Sequence, residues 1–285
     1  MTAINGSAAG ITGAASGIGR ALAIELAARG CDLALADRDE AGLAATAAEL
    51  ASRGRKVTTH RVDVSEPAQI QEFANAATSA HPKLNILINN AGVALLGQFN
   101  EIDQAQFEWL MNINFWGVVH GSRAFLPHLE RQSAAHIVNI SSIFGIIAPP
   151  GQTAYAAAKF AVRGFSESLR HELKMANSPV RMLVVHPGGI ATDIARNSRT
   201  GSGVTDNARR TEMIDRFDKV AKKSPAAAAM HIANGIQKNA PRILIGSDAK
   251  FADLVQRLRP ATYWAMLGRA LQKRAERAEN ADKGS

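Results

Sequence analysis

Thr12-Gly13-Ala14-Ala15-Ser16-Gly17-Ile18-Gly19 decides the fold. It stands between the small-residue run 7–12 (Ser-Ala-Ala-Gly-Ile-Thr) and an amphipathic stretch from Arg20 to Arg29. A strand, a glycine turn and a helix in that order make a phosphate cradle. Without a Cβ the backbone can approach an anion closely, and the helix N-terminus presents free N–H groups and a favourable dipole. The Gly-x-x-x-Gly-x-Gly spacing differs from the commoner Gly-x-Gly-x-x-Gly, with the same mechanics. Gly13, Ser16, Gly17, Ile18 and Gly19 are therefore the candidate phosphate-binding residues; a glycine turn with no ligand is the alternative. The strand is the weak part, because Gly10 stands where a β-branched residue is expected.

Beyond Gly30, the run 32–36 predicts a second strand ending at Asp37-Arg38-Asp39. An acid there, eighteen residues after Gly19, can accept from both ribose hydroxyls of an adenosine. It would also repel a 2′-phosphate by roughly 4 kcal/mol at 4 Å and an effective dielectric near 20. Arg38 could turn to offset that repulsion, yet it is free to point to solvent, so NAD is expected, with NADP as the alternative.

The alternation continues through helix 40–53, strand 57–62 running into Asp63-Val64, helix 67–80, and strand 84–88 running into Asn89-Asn90-Ala91-Gly92. A helix over 107–126 carries Asn114; strand 137–141, a helix from Thr153, strand 181–185 before His186-Pro187-Gly188-Gly189, and strand 242–246 follow. Such alternation with short turns predicts an α/β fold, a doubly wound parallel sheet in one catalytic domain over 1–246, with a helical extension over 247–285. Ligands of such sheets bind beyond the carboxyl ends of the strands, where Asp37, Asp63, Asn90, Ser142 and Pro187 all fall.

Ser142 closes the strand 137–141, and Tyr155 and Lys159 lie four apart on the following helix, so they share a face. An ammonium beside a phenol is expected to lower the phenol's pKa from about 10, and a serine hydroxyl can hold a substrate oxygen against it. That is a proton-transfer device for a C–OH/C=O pair. A half-buried tyrosine with a solvated lysine has the same spacing.

The four pieces Thr12-Gly13-x-x-x-Gly17-Ile18-Gly19, Asn89-Asn90-Ala91-Gly92, Tyr155-x-x-x-Lys159 and Pro187-Gly188, together with Asp63, Asn114 and Ser142, resemble the short-chain dehydrogenase/reductase family across about residues 5–246. The resemblance implies a Rossmann-like NAD(P)-dependent oxidoreductase acting on a small alcohol or ketone, commonly a homotetramer or homodimer. Carried over by residue, Tyr155 is the general acid/base and Ser142 orients the substrate oxygen. Lys159 lowers the tyrosine pKa and binds the nicotinamide ribose, and Asn114 holds a water in the proton relay. Gly13, Gly17 and Gly19 face the pyrophosphate, Asp37 the adenosine ribose, Asp63 and Val64 the adenine, and Asn90 lies near the adenosine side. Gly92 and Pro187 join the cofactor set, and Gly188, Ile190 and Thr192 run along the nicotinamide. The rival from another class is a dinucleotide-binding regulator or scaffold without turnover; the intact Asn114, Ser142, Tyr155 and Lys159 argue for an enzyme.

Composition bounds the remaining choices. The chain of 285 residues has ample material for one large core, and its single cysteine, Cys31, excludes an internal disulfide. With no basic-then-apolar start, a cytoplasmic location is the expectation. Residues 132–158 carry no Lys, Arg, Asp or Glu, but Asn139, two serines and paired prolines make a buried core the better account than a membrane span. Residues 1–195 hold 15 basic against 16 acidic side chains, and residues 196–285 hold 18 against 9, so the net charge of +8 belongs to the C-terminal third. A solvated surface or an anionic partner would explain it; interleaved aromatics of a nucleic-acid site are missing. No metal site is expected.

Apolar residues border the expected substrate region: Ile143, Phe144, Ile146 and Ile147 after the catalytic strand, and Leu95, Leu96 and Phe99 in another loop. They serve as core or as the wall of a pocket for a hydrophobic secondary alcohol or ketone. Residues 193–225, polar and bearing Gly201-Ser202-Gly203, are expected as a mobile lid or a surface loop. In the extension, Phe251, Leu254, Val255 and Leu258 are helically spaced before Pro260; Tyr263, Trp264, Met266, Leu267 and Leu271 follow, then Lys273, Arg274 and Arg277. Packing within an oligomer is the first expectation for it, cover of its own substrate pocket the second, and contact with an anionic membrane surface the third.

Overall fold

The protein is described from a computed structural model over residues 2–268; the expectations on Leu271, Lys273, Arg274 and Arg277 lie outside the described residues. Along the chain run β1 (Ala8–Thr12), α1 (Gly17–Ala28), β2 (Asp32–Asp37), α2 (Glu40–Leu50), β3 (Val57–Arg61), α3 (Pro67–Ala80), β4 (Leu84–Asn89) and a two-residue β5 (Leu95–Leu96). Then come α4 (Gln104–Met111), α5 (Gly117–Leu129), β6 (Ala135–Ile140), α6 (Thr153–Met175), β7 (Val180–Pro187) and a two-residue β8 (Arg199–Thr200). The order closes with α7 (Asn207–Val220), α8 (Pro225–Gln237), β9 (Arg242–Ile245) and α9 (Ser247–Leu258).

Seven of the strands form one sheet in the order β3-β2-β1-β4-β6-β7-β9, every pair parallel. A sheet buried on both faces needs apolar residues pointing both ways. One face carries Ala9, Ile11, Leu33, Leu35, Ile88, Val138 and Val185 beneath Leu22 and Leu26 of α1 and Ile232 and Ile236 of α8. The other carries Ala34, Ala36, Ile137 and Met182 against Phe73 of α3, Phe125 and Leu129 of α5, and Leu173 of α6. The order in which strands are added reverses between β1 and β4, the place where sheets of this kind bind ligands above the carboxyl ends.

The doubtful first strand is fully buried and pairs with β2 and β4 on its two sides. Gly10 has a packing reason: a Cβ there would stand 3.4 Å from the Phe125 ring, so the aromatic fills the volume a side chain would take. The helix expected over 107–126 is α4 and α5 joined by five π-helical residues, Asn112–Trp116, at whose centre Asn114 sits. Residues 193–225 are not a bare loop. β8 pairs with β5, the Arg199 guanidinium stacks 3.9 Å from the centre of the Trp109 ring, and α7 follows.

The described part of the extension packs on its own chain. Ala252, Val255 and Leu267 form one buried cluster with Ile146 and Ile147, joined by Tyr263, Trp264, Ile143 and Phe144. Pro260 lies in the break after α9, and residues 263–268 turn helical again. Among the described residues no helix is long and apolar enough to cross a membrane.

Candidate active site

Ser142, Tyr155 and Lys159 meet at the carboxyl end of β6. Ser142 leaves the strand in extended conformation and caps the short 3-10 turn Ile143–Gly145, its Oγ accepting from Phe144 N–H at 3.1 Å. Its hydroxyl lies near enough to the Tyr155 phenol to favour the phenolate. Ser141 turns the other way, is buried, and donates to the Lys159 carbonyl at 2.9 Å, which ties β6 to α6. Lys159 is 3% exposed; its Nζ donates to the Ile140 carbonyl at 3.1 Å and stands 5.7 Å from the Tyr155 ring centre. Asn114 is fully buried, taking Val93 N–H on Oδ1 (2.8 Å) and giving Nδ2 to the Val93 carbonyl (2.9 Å). Gly92 fits between Asn114 and Lys159, where a Cβ would crowd Asn114 Oδ1 at 3.2 Å and touch Lys159 Nζ at 3.5 Å.

The electrostatics correct one expectation. Burial pushes the Tyr155 phenol up to about 12, and the Ser142 hydroxyl opposes that only in part. The expected fall through the neighbouring ammonium is not what the protein's own groups produce. Burial also draws Lys159 down to about 8. A dry site disfavours both charged forms, and the Ile140 carbonyl is a dipole, not a countercharge.

The glycine turn is held from behind. Gly13 has φ 68, and a Cβ there would come within 2.7 Å of Ala91 Cα, while one on Gly19 would strike the Gly13 carbonyl. Asn90 does the bracing: Nδ2 donates to the Thr12 and Gly13 carbonyls, both at 3.0 Å, and its N–H reaches Thr12 Oγ1 at 3.0 Å. Gly17 has φ 53 and opens towards Thr192, whose Cγ2 lies 3.3 Å from a Cβ built there. Ser16, extended, precedes α1 without capping it by its side chain, and Ile18 is half-buried behind it. The first turn of α1 thus keeps N–H groups for an anion.

At the tip of β2, Asp37 accepts from Ala15 N–H (3.0 Å) and Asp39 N–H (3.1 Å), one on each oxygen, which leaves lone pairs on both. Arg38 is exposed. Asp63 Oδ1 takes the Ser65 N–H and hydroxyl, at 2.9 and 2.6 Å, and Val64 is buried against Gly117. Pro187 ends β7, and Gly188 N–H pairs with the Ile245 carbonyl at 2.8 Å. Ile190 is buried in the core cluster that α8 joins, and its backbone pairs with Lys223, whereas Thr192 overlooks the glycine turn. Free helix-terminal N–H groups, a Cβ-free turn and a carboxylate at the next strand tip together fit a dinucleotide.

Three residues outside the expected site set hold the loops around it. His186, wholly buried, pairs through Nδ1 with the Ser142 carbonyl at 2.9 Å. Asp248 accepts Gly189 N–H at 2.8 Å, and Tyr263 Oη accepts Ala148 N–H at 3.0 Å. A histidine ahead of Pro187-Gly188 and an acid in the first turn after the last strand were the visible signals. Among the described residues no cluster of metal-ligating side chains occurs.

Comparison with known proteins agrees with this fold. The profile of the short chain dehydrogenase family matches residues 7–203. SadH of Mycobacterium tuberculosis, an oxidoreductase by designation, is 42% identical over 273 residues, 96% of this chain and 98% of that protein. A CLA biosynthesis dehydrogenase/reductase of Lactiplantibacillus plantarum is 31% identical, covering 86% of this chain and 83% of that one. The crystal structure of a short chain dehydrogenase/reductase from Burkholderia phymatum in complex with NAD superposes with a TM-score of 0.82 at 33% identity, over 90% of this chain and 95% of the other. The chain belongs to the short-chain dehydrogenase/reductase family of oxidoreductases.

Proposed function

We propose that this protein interconverts a hydrophobic secondary alcohol and its ketone, with Tyr155 as general acid/base and NAD(H) as the preferred cofactor. The observation that carries the proposal is the convergence of Ser142, Tyr155 and Lys159 at the end of β6, with Lys159 Nζ 5.7 Å from the Tyr155 ring centre, together with the uncapped N-terminus of α1. When bound, the nicotinamide accepts or supplies the hydride. Ser142 holds the substrate oxygen against the phenol, and Tyr155 takes its proton in oxidation or returns one in reduction. Lys159 would hold the nicotinamide ribose, and Asn114, fixed at the π-helical segment, would place the relay water. The first turn of α1 would bind the pyrophosphate, and Asp37 the adenosine ribose.

NAD over NADP rests on Asp37 at the strand tip and is supported by the NAD complex of the Burkholderia phymatum relative. An apolar substrate is supported by the surroundings of Tyr155: Leu95, Phe107, Trp109 and Phe115 pack in its cluster, and Phe144 stands edge-on to its ring at 6.1 Å. Leu95 and Leu96 are buried and Phe99 is 68% exposed, so the first two sit in the core and the third faces solvent.

A panel of secondary alcohols and ketones, assayed separately with NAD(H) and NADP(H), tests the substrate and cofactor assignments. Tyr155→Phe should lower turnover by roughly 10²–10⁴, the worth of positioned proton transfer, with NADH affinity within about twofold. Undiminished turnover in that variant would remove Tyr155 from the chemistry.

We also propose a homo-oligomer. α9 leaves Phe251, Leu254 and Leu258 on its outer face 54, 55 and 70% exposed, at helical spacing, and a second copy would cover them. Light scattering should give a dimer or tetramer, and Leu254→Glu should shift it towards monomer. A monomeric wild type that floats with anionic liposomes would assign the stripe to a membrane surface instead.

A further inference from the structure

The described part of the C-terminal extension is tied at two points, one to the loop after β7 and one to the loop after β6, which backs Tyr155. At its start, the Asp248 carboxylate accepts Gly189 N–H at 2.8 Å. It presses so closely on Gly188 and Gly246 that a Cβ on either would overlap it, and Gly246 adopts φ 110 to allow the approach. At its far end, Tyr263 Oη accepts Ala148 N–H at 3.0 Å. Between these points α9 is pinned to β9, where Arg242 grips both oxygens of Asp253 at 2.5 and 3.2 Å. Ala252, Val255 and Leu267 close the cluster over Ile146 and Ile147, and Phe144 from the same loop stands edge-on to Tyr155.

We propose that residues 247–268 are a positioning clasp: Asp248 fixes the 188–192 loop on the cofactor side, and Tyr263 fixes the 143–148 loop that follows Ser142 and backs Tyr155. The functional half of this inference rests on the oxidoreductase assignment above; the mechanical half rests on the two hydrogen bonds alone. A parallel sheet holds the strand ends and not the loops beyond them. Ser142 and Gly188 lie just past β6 and β7, neighbours in the sheet, so one strap across both loops sets their separation. Asp248 suits its place twice, since an anion in the first turn of α9 also meets the favourable end of the helix dipole.

The test uses the full chain with Asp248→Ala and Tyr263→Phe, amide hydrogen exchange of each loop, and NADH titration by fluorescence. Asp248→Ala should speed exchange around Gly189 and weaken NADH about fivefold, with the 143–148 loop unchanged. Tyr263→Phe should speed exchange at 143–148 by about fivefold, with NADH affinity unchanged. Thermal unfolding of both variants controls for loss of fold. Exchange that rises evenly through the chain, or either variant loosening both loops alike, would overturn the clasp. So would wild-type exchange and affinity in both variants. If wild-type protein ignores NADH, the cofactor assignment fails; the exchange measurement still decides whether the strap exists.

Discussion

Tyr155 shows what a spacing can and cannot say about a residue. Four positions on a helix place the phenol and Lys159 side by side, but the sign of a pKa shift depends on water. Burial is the largest cause for both, pushing the phenol up to about 12 and the ammonium down to about 8. Gly10 makes the same point for packing. Inside a strand it looked like a defect, and in the fold it is the hollow under the Phe125 ring, which also meets Phe73 edge-on at 5.3 Å. Gly10→Val should therefore overpack this face and lower stability by about 1–3 kcal/mol. Urea unfolding measures it, and pairing the change with Phe125→Leu should restore part of the loss. A valine tolerated without cost would mean the ring can move aside.

At the scale of elements, the parts legible in sequence were those whose signal is local. Apolar runs bounded by turns marked the strands of the sheet, and the Gly13–Gly19 turn placed α1 after β1. The π-helical residues between α4 and α5 were not legible, because a helix with a widened turn keeps nearly the same apolar face. β5 and β8 escaped because each has two residues and exists only through the other. The clasp escaped because its bonds join positions 59 and 115 residues apart. For the candidate site, the order of Asn114, Ser142, Tyr155 and Lys159 was readable, and so was the placing of Asp37, Asp63, Asn90, Ser142 and Pro187 at the carboxyl ends of strands. What each side chain bonds to was not. Asn90 is spent on the Thr12 and Gly13 carbonyls, and one oxygen of Asp63 on Ser65. Those bonds shape the turns on which a cofactor would rest, and spacing cannot separate shaping a turn from touching a ligand.

On the scale of the whole molecule, buried imidazoles make stability depend on pH. His136 and His186 are wholly buried, one on β6 with Nδ1 paired to Thr2 Oγ1 at 2.8 Å, the other at the end of β7 behind Ser142. Burial pulls each down to about 4 from an ordinary 6.5. Above pH 6.5 neither the folded nor the unfolded chain protonates these rings, so their contribution is constant. As pH falls from 6.5 towards 4 the unfolded chain takes up protons that the folded protein refuses, and stability drops; below 4 both states are protonated and the drop levels off. At about 1.4 kcal/mol per pH unit, each ring contributes up to roughly 3 kcal/mol of that loss. Burial lowers His60, His81, His120 and His128 as well, so they act with the same sign. Asp253 adds loss only in stronger acid. Its burial raises the carboxyl, but Arg242 and Arg257 together outweigh that and hold it below 3.8, so the grip on α9 fails as pH falls through the lowered value. Urea unfolding at pH 7.5 and at pH 4.5 should show the large fall, and His136→Asn should remove up to roughly 3 kcal/mol of it. A variant whose fall matches the wild type would mean that His136 already carries its proton in the folded protein.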